Sequence, residues 1–251
     1  RFTKMSEEKE VVTAEEIENK ADAIMGTIMH NDSDPVVSTK KLLESGVHFG
    51  HQTRKWNPKM SKYIFGSKNG VHILDLTLTA AKLQEAYLAL KKIVADGGKV
   101  LFVGTKPQVR EVIQEEALRS GSFFVVNRWL GGTLTNFKTI QKRIRYLNDL
   151  KTMEEDGSFE NMPKKEAVLL RKEKEKLLKN LEGIAEMRKV PNAVIVVDPK
   201  LEHNAVLEAK KLNIPVFGLL DTNADPDELN YGIPANDDAT KSVQLICGIL
   251  A

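Results

Sequence analysis

The amino-acid sequence predicts an α/β protein with a doubly wound, mostly parallel sheet of the flavodoxin or Rossmann type and an inserted antiparallel coiled-coil helical hairpin. Apolar runs rich in β-branched residues, at 99–103, 123–126, 193–197 and 214–220, alternate with helical patterns, as in parallel sheets that are buried on both faces. One long, charged, helical stretch at 137–187 interrupts this alternation. The chain of 251 residues is long enough to bury a large core around such a sheet.

Residues 1–35 form an acidic leader, which we expect to be a poorly ordered or loosely docked N-terminal extension. It contains nine acidic and four basic side chains, a balance of −5, so the net charge of +2 leaves +7 for residues 36–251. Its last five residues, Asn31 to Pro35, are typical of a loop. A short helix over 14–29 fits the apolar spacing, and Met5 is a candidate for the natural start.

The next segment begins with a short helix that Ser38 can cap and is predicted to carry a basic hairpin, with strand-like runs on either side of residues 66–70. No acidic residue lies between Glu44 and Asp75. Five basic residues fall inside that gap, namely Arg54, Lys55, Lys59, Lys62 and Lys68. Aromatic residues are interleaved with them, which favours RNA, because aromatic rings stack on unpaired bases and cations neutralise phosphates.

A helix over residues 79–95, a strand, a second helix and a second strand are predicted to complete the first half of the α/β body. They lead into a junction, Asn127 to Phe137, that contains Gly131-Gly132. Two interpretations of this junction stay open. Either Arg128 and Trp129 stack on a nucleobase, since both side chains are flat, or Trp129 is a core residue and the glycines only make a turn.

The inserted stretch, 137–187, is predicted to fold as two amphipathic helices. Apolar residues recur every three or four positions on either side of a break at 156–158, which is the pattern of an antiparallel coiled-coil hairpin. We assign RNA contact only to its basic root, because charge runs further along such helices are usually solvated faces. The basic residues of the root are Lys138, Lys142, Arg143 and Arg145.

The α/β body is therefore assigned to residues 36–136 and 188–251. In its second part, a strand over 193–197, a helix from about 203 to 212 and a strand within 214–220 repeat the alternation of the first part. A closing helix that ends at Leu250 follows. Strands joined by helical crossovers in this way lie side by side in a parallel sheet.

Two groups of residues would instead suit a nucleotide- or metal-binding α/β enzyme. Gly104-Thr105-Lys106 stands between a strand and a helix, where α/β proteins hold phosphates, but neither GxxxxGK[ST] nor GxGxxG accompanies it. Asp198, Asp221, Asp225 and Asp227 stand at or after strand ends, yet this pattern also suits a capped, tight turn. Without a nucleophile or a general base beside them, we predict a protein that is not an enzyme and has no cofactor.

His48 and His51 are three residues apart and could share a face that holds a metal ion, or they could be hydrogen-bonded or RNA-contacting histidines. No third ligand has a fixed spacing to them, so no metal site is assigned. Cys247 is the only cysteine, which excludes an internal disulfide and a CxxC zinc pair. The sequence shows neither a membrane-spanning segment nor a secretory signal, and a cytoplasmic location is expected.

Five motifs follow one another along the chain: His48-Phe49-Gly50-His51, Trp56-Asn57-Pro58-Lys59-Met60, Arg128-Trp129-Leu130-Gly131-Gly132 with Leu134-Thr135-Asn136, Asp221-Thr222-Asn223, and Ile233-Pro234-Ala235-Asn236-Asp237-Asp238. Together they resemble the family of the second protein of the small ribosomal subunit, in its bacterial branch. The resemblance covers about residues 36–251.

This resemblance implies a structural constituent of the bacterial small (30S) subunit that takes part in translation in the cytoplasm. It implies binding to small-subunit (16S-type) rRNA near the junction of head and body. It also implies contacts with neighbouring ribosomal proteins, including the large first protein of that subunit, and a chain that is not a homo-oligomer. The acidic leader and the tip of the hairpin receive no role from it.

The predicted RNA-binding residues combine the composition with this resemblance. They are Arg54, Lys55, Trp56, Lys59, Lys62, Arg128, Trp129, Lys138, Lys142 and Arg143. The cations are expected to contact phosphates. Trp56, and less directly Trp129, is expected to pack on RNA or to brace the loop that does.

Overall fold

The computed structural model describes residues 35–160 and 162–251. The predicted leader up to residue 34, with its candidate helix over 14–29, lies outside the described residues. All elements below belong to one compact unit, Val37–Ala251. In chain order the described helices are α1 (Thr39–Glu44), α2 (Leu76–Ala95), α3 (Arg110–Arg119), α4 (Phe137–Glu155), α5 (Lys164–Leu181), α6 (His203–Lys211) and α7 (Thr240–Leu250). The described strands are β1 (Phe49–Gln52), β2 (Ile64–Lys68), β3 (Val71–Leu74), β4 (Val100–Val103), β5 (Phe123–Val125), β6 (Ala193–Val197), β7 (Val216–Leu220) and β8 (Tyr231–Pro234).

Five strands form a parallel sheet in the order β5-β4-β6-β7-β8, which confirms the predicted parallel sheet. Numbered within the sheet, this order is 2-1-3-4-5, the flavodoxin-like arrangement. The chain leaves β4 toward one edge and returns on its other side as β6, so the order reverses between these two strands. In open α/β sheets, ligands bind at the carboxyl ends of the strands at such a switch point.

Helices cover both faces of this sheet, as a doubly wound fold requires. On one face α2, α3 and α7 pack against inward side chains such as Phe102 and Ile195. On the other face α6 and the root of the hairpin pack against Leu101 and Val194. All residues of β6 and β7 are buried, which explains their unbroken apolar sequence, and each fully buried large side chain contributes roughly 1.5–3 kcal/mol.

The fifth strand, β8, is not predicted by the sequence, because its short run has no alternating apolar pattern. It lies at the edge of the sheet beside β7, where a proline such as Pro234 is tolerated. The ring of Tyr231 stacks on that of Phe217 in β7, with 4.5 Å between the centroids. Packing of side chains against β7 therefore stabilises β8, whose own strand propensity is low.

The predicted basic hairpin forms, and it belongs to a second sheet of three antiparallel strands in the order β1-β3-β2. Asn69 and Gly70 connect β2 to β3 with φ angles of 53° and 76°. Positive φ at both central residues is what a tight hairpin turn of the I′ type demands. The third strand, β1, carries the Phe49-Gly50-His51 part of the first motif.

Helices α4 and α5 contact each other and share a small core of their own, formed by Leu150, Phe159 and Ala167. The contacts show that the second segment runs back along the first. Gln141 donates to the carbonyl of Arg188 at 2.9 Å, and Tyr146, five residues later, donates to the earlier residue Glu173 at 3.1 Å. The two predicted helices are therefore present as an antiparallel pair. Supercoiling of this pair stays a prediction.

Candidate nucleic-acid interface

The basic loop between β1 and the 3-10 turn Pro58–Tyr63 is fixed at both of its ends. At the start, Thr53 N donates to Gly70 O at 2.9 Å, and at the end Asn57 N donates to Thr222 O at 2.7 Å. The side chain of Asn57 also accepts from Lys59 N at 3.0 Å and caps the turn. The loop is thus held against the carboxyl end of β7, and Arg54 and Lys55 extend into solvent.

Trp56 is at the surface of this loop, with 40% of its area exposed. Its ring lies 5.2 Å from that of His72 on β3. It also lines a surface cavity together with Lys200 and with His203, the first residue of α6. A ring that is supported on one side and open on the other can stack on a base.

The basic residues of this loop differ in how their charge is balanced. Lys59 Nζ lies 2.7 Å from a carboxylate oxygen of Asp225 and 2.7 Å from one of Asp227. Its hydrogen bond to Asp225, followed by that to Asp227, raises the pKa of the Lys59 ammonium above its ordinary value. Lys62 instead places its ammonium 4.9 Å from the ring of Tyr63. The charge of Lys59 is therefore already compensated within the protein, whereas Lys62 forms no ion pair with any of the described residues.

The glycine junction is organised by Glu208, a residue of α6 that the sequence did not single out. Its carboxylate accepts hydrogen bonds from Trp129 Nε1 at 3.0 Å, Gly132 N at 2.7 Å, Leu134 N at 3.0 Å and Thr135 N at 3.0 Å. Trp129 is partly buried and also packs against the core beneath. The structure shows the indole packed on the core and bonded to Glu208, and stacking of Trp129 on a nucleobase stays a prediction.

The backbone amides of this loop form a cradle for an anion, and Glu208 fills it. Burial alone would raise the pKa of Glu208, but the hydrogen bonds from Thr135, Trp129, Gly132 and Leu134 outweigh it and hold the pKa below its ordinary value. Since the amides are already occupied, the loop has no free backbone cradle for a phosphate. Arg128, which is exposed beside it, is the part of the junction that can meet one.

The basic root of the hairpin places four exposed cations on α4. The buried positions Ile140, Ile144 and Leu147 face inward, which turns the cations of this helix outward. We call these cations the root surface, and they are Lys138, Lys142, Arg143 and Arg145, all exposed.

Helix α6 lies beside both of the tryptophan-containing loops. Its first residue, His203, lines the cavity beside Trp56, and Glu208 holds the loop of Trp129. Five residues correspond to about 7.5 Å along a helix axis. The structure therefore brings together two motifs that lie more than seventy positions apart in the sequence.

The carboxyl ends of β4 and β6, where such folds bind ligands, are closed by an internal ion cluster. Lys106 Nζ lies 2.8 Å from Asp198, 2.7 Å from Asp237 and 2.7 Å from Asp238. Thr105 N, beside it, donates to the buried Glu202 at 2.9 Å. A nucleotide phosphate would meet these carboxylates at the switch point, so the geometry opposes phosphate binding there.

His51 extends this cluster and ties the two sheets together. Its Nδ1 lies 3.0 Å from Asp221 and its Nε2 lies 3.6 Å from Asp238. The hydrogen bond with Asp221 raises the pKa of His51 against the opposing effect of burial. Burial, followed by the neighbouring charges of Asp221 and Asp198, raises the pKa of Asp237 to about 7.

The ligand atoms of His51, Asp237 and Asp238 lie within 4.8 Å of one another and could hold a metal ion. The ammonium of Lys106 already supplies a cation to both of these carboxylates. His48, the other histidine of the predicted pair, packs against Phe49 with 4.0 Å between the ring centroids and an angle of 39° between the ring planes. The strand-end aspartates thus have structural partners, which is the role that the turn interpretation gave to Asp221 and Asp225.

A family model for ribosomal protein S2 matches residues 42–251. The match includes both sheets, the hairpin and all five motifs. In the described part of the chain, none of the helices has the length and apolar character needed to cross a membrane. The chain belongs to the ribosomal protein S2 family, whose members are structural proteins of the small ribosomal subunit that serve in translation and are not enzymes.

Proposed function

We propose that this chain is a structural constituent of the bacterial 30S subunit that binds 16S-type rRNA through two exposed cationic surfaces. One is the root surface together with Arg128. The other, which we call the loop surface, comprises Arg54, Lys55, Trp56 and Lys62. The S2 family match supports the general role, and the distribution of unpaired charge supports the residues.

The observation that carries this proposal is that these cations have no acidic partner among the described residues. Within residues 35–160 and 162–251, none of the cations of the two surfaces forms an ion pair. Arg54 Nε donates to a neutral amide, that of Gln52, at 3.0 Å. A cation that is not compensated internally attracts phosphates and releases their counterions on binding.

Lys59 takes a smaller part in this proposal than the sequence indicated. Its ammonium must leave Asp225 and Asp227, or share with them, to contact a phosphate. Trp129 acts through the loop that it braces, whereas Trp56 has an exposed ring that can stack on an unpaired base. Contacts with neighbouring ribosomal proteins, among them the large first protein of the subunit, and a ribosome-bound cytoplasmic location complete the proposal.

A binding experiment with the full chain and 16S-type rRNA at several salt concentrations tests it. The salt slope is the change in the logarithm of the binding constant with the logarithm of the salt concentration. The double variant Arg54→Gln/Lys55→Gln should lower the magnitude of this slope by about 0.7–0.9 for each phosphate that the protein no longer neutralises. The matched control is Lys92→Gln/Lys241→Gln, which removes two exposed charges on the other face of the sheet. If both double variants bind like the wild type, the loop surface does not bind RNA.

Sedimentation of lysates in sucrose gradients provides an independent test. The wild-type chain should migrate with the small subunit at low salt and dissociate in part at high salt. Migration as a free protein at low salt would contradict the proposal. A rise in melting temperature on addition of ATP or Mg²⁺, which is expected of any ligand that binds the folded state, would favour a nucleotide- or metal-binding protein instead.

A further inference from the structure

A surface groove opens where the two hairpin helices meet the glycine junction. Its volume is about 490 Å³, and its lining includes Leu130, Leu177 and Leu181. Leu181 is buried, and the other two leucines are partly buried, so the apolar residues form the floor. We call this feature the root groove.

Three cations from two helices form the rim of the root groove. Arg143 comes from α4, and Lys172 and Lys176 come from α5. All three are exposed, and none forms an ion pair with a carboxylate of the described residues. The acidic residue of the lining, Glu173, already accepts a hydrogen bond from the Tyr146 hydroxyl at 3.1 Å.

Two other cations of α5 are paired within the protein. Lys174 and Arg171 both pair with Glu154 of α4. Helix α5 therefore pairs Arg171 and Lys174 with the distal half of α4 and places Lys172 and Lys176 at the groove. Its other cations, Lys164, Lys165 and Lys179, are also exposed and without an ion pair among the described residues, but they lie outside the lining of the groove. A partner with several negative charges would complete the groove electrostatically.

We propose that the root groove binds a stretch of RNA backbone, with phosphates held by Arg143, Lys172 and Lys176. This inference rests on the proposed function and adds to it a second helix, whose charged residues the sequence alone assigns to a solvated face. Lys172 and Lys176 are one helical turn apart, about 6 Å along the axis, which is comparable with the distance between neighbouring phosphates of a strand. The guanidinium of Arg143 suits bidentate phosphate contact.

An RNA strand fits this groove better than an acidic amphipathic helix. A helix docked in a groove needs a row of apolar anchors over two or more turns. The groove offers only Leu130 and Leu177 as partly exposed apolar side chains, since Leu181 is buried. The charged rim, and not the floor, is therefore the larger source of binding free energy.

The double variant Lys172→Gln/Lys176→Gln tests this inference in the full chain, with Lys92→Gln/Lys241→Gln as control. The groove variant should lower the salt slope for 16S-type rRNA by about 1.4–1.8, and the control should leave it unchanged. If the wild type binds rRNA and the groove variant has the same salt slope as the control, the inference about the groove is overturned and the proposed function stands. Absence of wild-type binding would overturn both.

A crosslinking experiment identifies the occupant. Because Cys247 is fully buried, a Lys172→Cys variant can carry a photoreactive thiol reagent at the groove alone. In assembled small subunits, crosslinks from this position to rRNA support the inference, with Lys92→Cys as the matched control. Crosslinks exclusively to a protein would show that the occupant is a polypeptide and overturn it.

Discussion

Two groups of cations in this molecule have similar side chains and opposite surroundings. Lys106 at the strand ends is 12% exposed and lies within 2.8 Å of three carboxylates, whereas the root surface is exposed and unpaired among the described residues. The first group, Lys106 with its carboxylates, closes the crevice in which this architecture commonly binds ligands. The second group, the root surface, lies on α4 of the helical hairpin. The comparison shows an α/β sheet whose usual ligand crevice is closed from within, whereas the uncompensated cations of the root surface lie outside that crevice.

The largest expected effect comes from breaking the internal cluster. Lys106→Met removes the cation that compensates the buried Asp237 and Asp198. Loss of one partner of a buried ion pair costs about 3–5 kcal/mol, because the other charge stays buried. Urea denaturation should show this loss in the free energy of unfolding. Lys142→Met, on the root surface, should change stability by less than about 0.5 kcal/mol, and equal losses in the two variants would remove the distinction between the groups.

A smaller loss of stability is expected from Glu208→Gln, which keeps the shape of the side chain and removes the charge. The hydrogen bonds from Gly132, Leu134 and Thr135 lose their charged acceptor, which should cost about 1–3 kcal/mol. A change in Trp129 fluorescence, measured in a Trp56→Phe background, should accompany it. The control Glu115→Gln removes an exposed carboxylate from α3. An unchanged emission spectrum would show that Glu208 does not hold the loop.

A graded effect of pH is expected from the internal cluster. The folded pKa of Asp237, about 7, lies above its ordinary 3.8, so the folded protein binds more protons across that window and its free energy of unfolding should fall as pH rises through it. The raised pKa of His51 acts in the same direction, because the stability from its pair with Asp221 is present below pH 6.5 and is lost as pH rises through the folded pKa.

One such group contributes at most about 1.4 kcal/mol for each pH unit. Unfolding free energies measured in urea from pH 4 to pH 8 should therefore decline, and Asp237→Asn should flatten the decline. A steady increase of stability with pH over this range would contradict the role given to Asp237.

The smallest expected effect concerns single cations of the loop. Arg54→Ala should lower the salt slope of rRNA binding by about one unit with little change in stability. Lys59→Ala should lower it less, because Asp225 and Asp227 already compensate this charge. A larger effect at Lys59 than at Arg54 would show that internal pairing does not decide which cations meet RNA.

The sequence predicted the parallel sheet well, because strands such as β6 are buried on both faces and must be continuously apolar. It predicted the β2–β3 hairpin from the strand-like runs on either side of residues 66–70, and the structure narrows the turn to Asn69-Gly70. Strand β8 was missed, since its stability comes from contacts with β7 and not from its own pattern. Local sequence signals therefore predict a strand only where its stability does not depend on particular contacts with its neighbours.

The sequence indicated which residue types make up the candidate site but not which side chains pair with one another. Lys59 and Arg54 look alike in the sequence, yet the partner of Lys59 lies 166 positions away. Likewise, nothing in the helical pattern around Glu208 marks it as the acceptor for a loop that precedes it by 73 to 79 residues. Such long-range pairs depend on topology, which a single sequence reveals only through its elements.

The attachment of the Trp129 loop to α6 has a consequence for its dynamics. This helix is only nine residues long, and an isolated helix of that length is not stable in water. Its persistence depends on its packing against the sheet, and a local opening of α6 would release the loop of Trp129 from Glu208, while the loop of Trp56 would keep its bonds to Gly70 and Thr222. The order of the Trp129 loop is therefore governed by the opening free energy of one short helix.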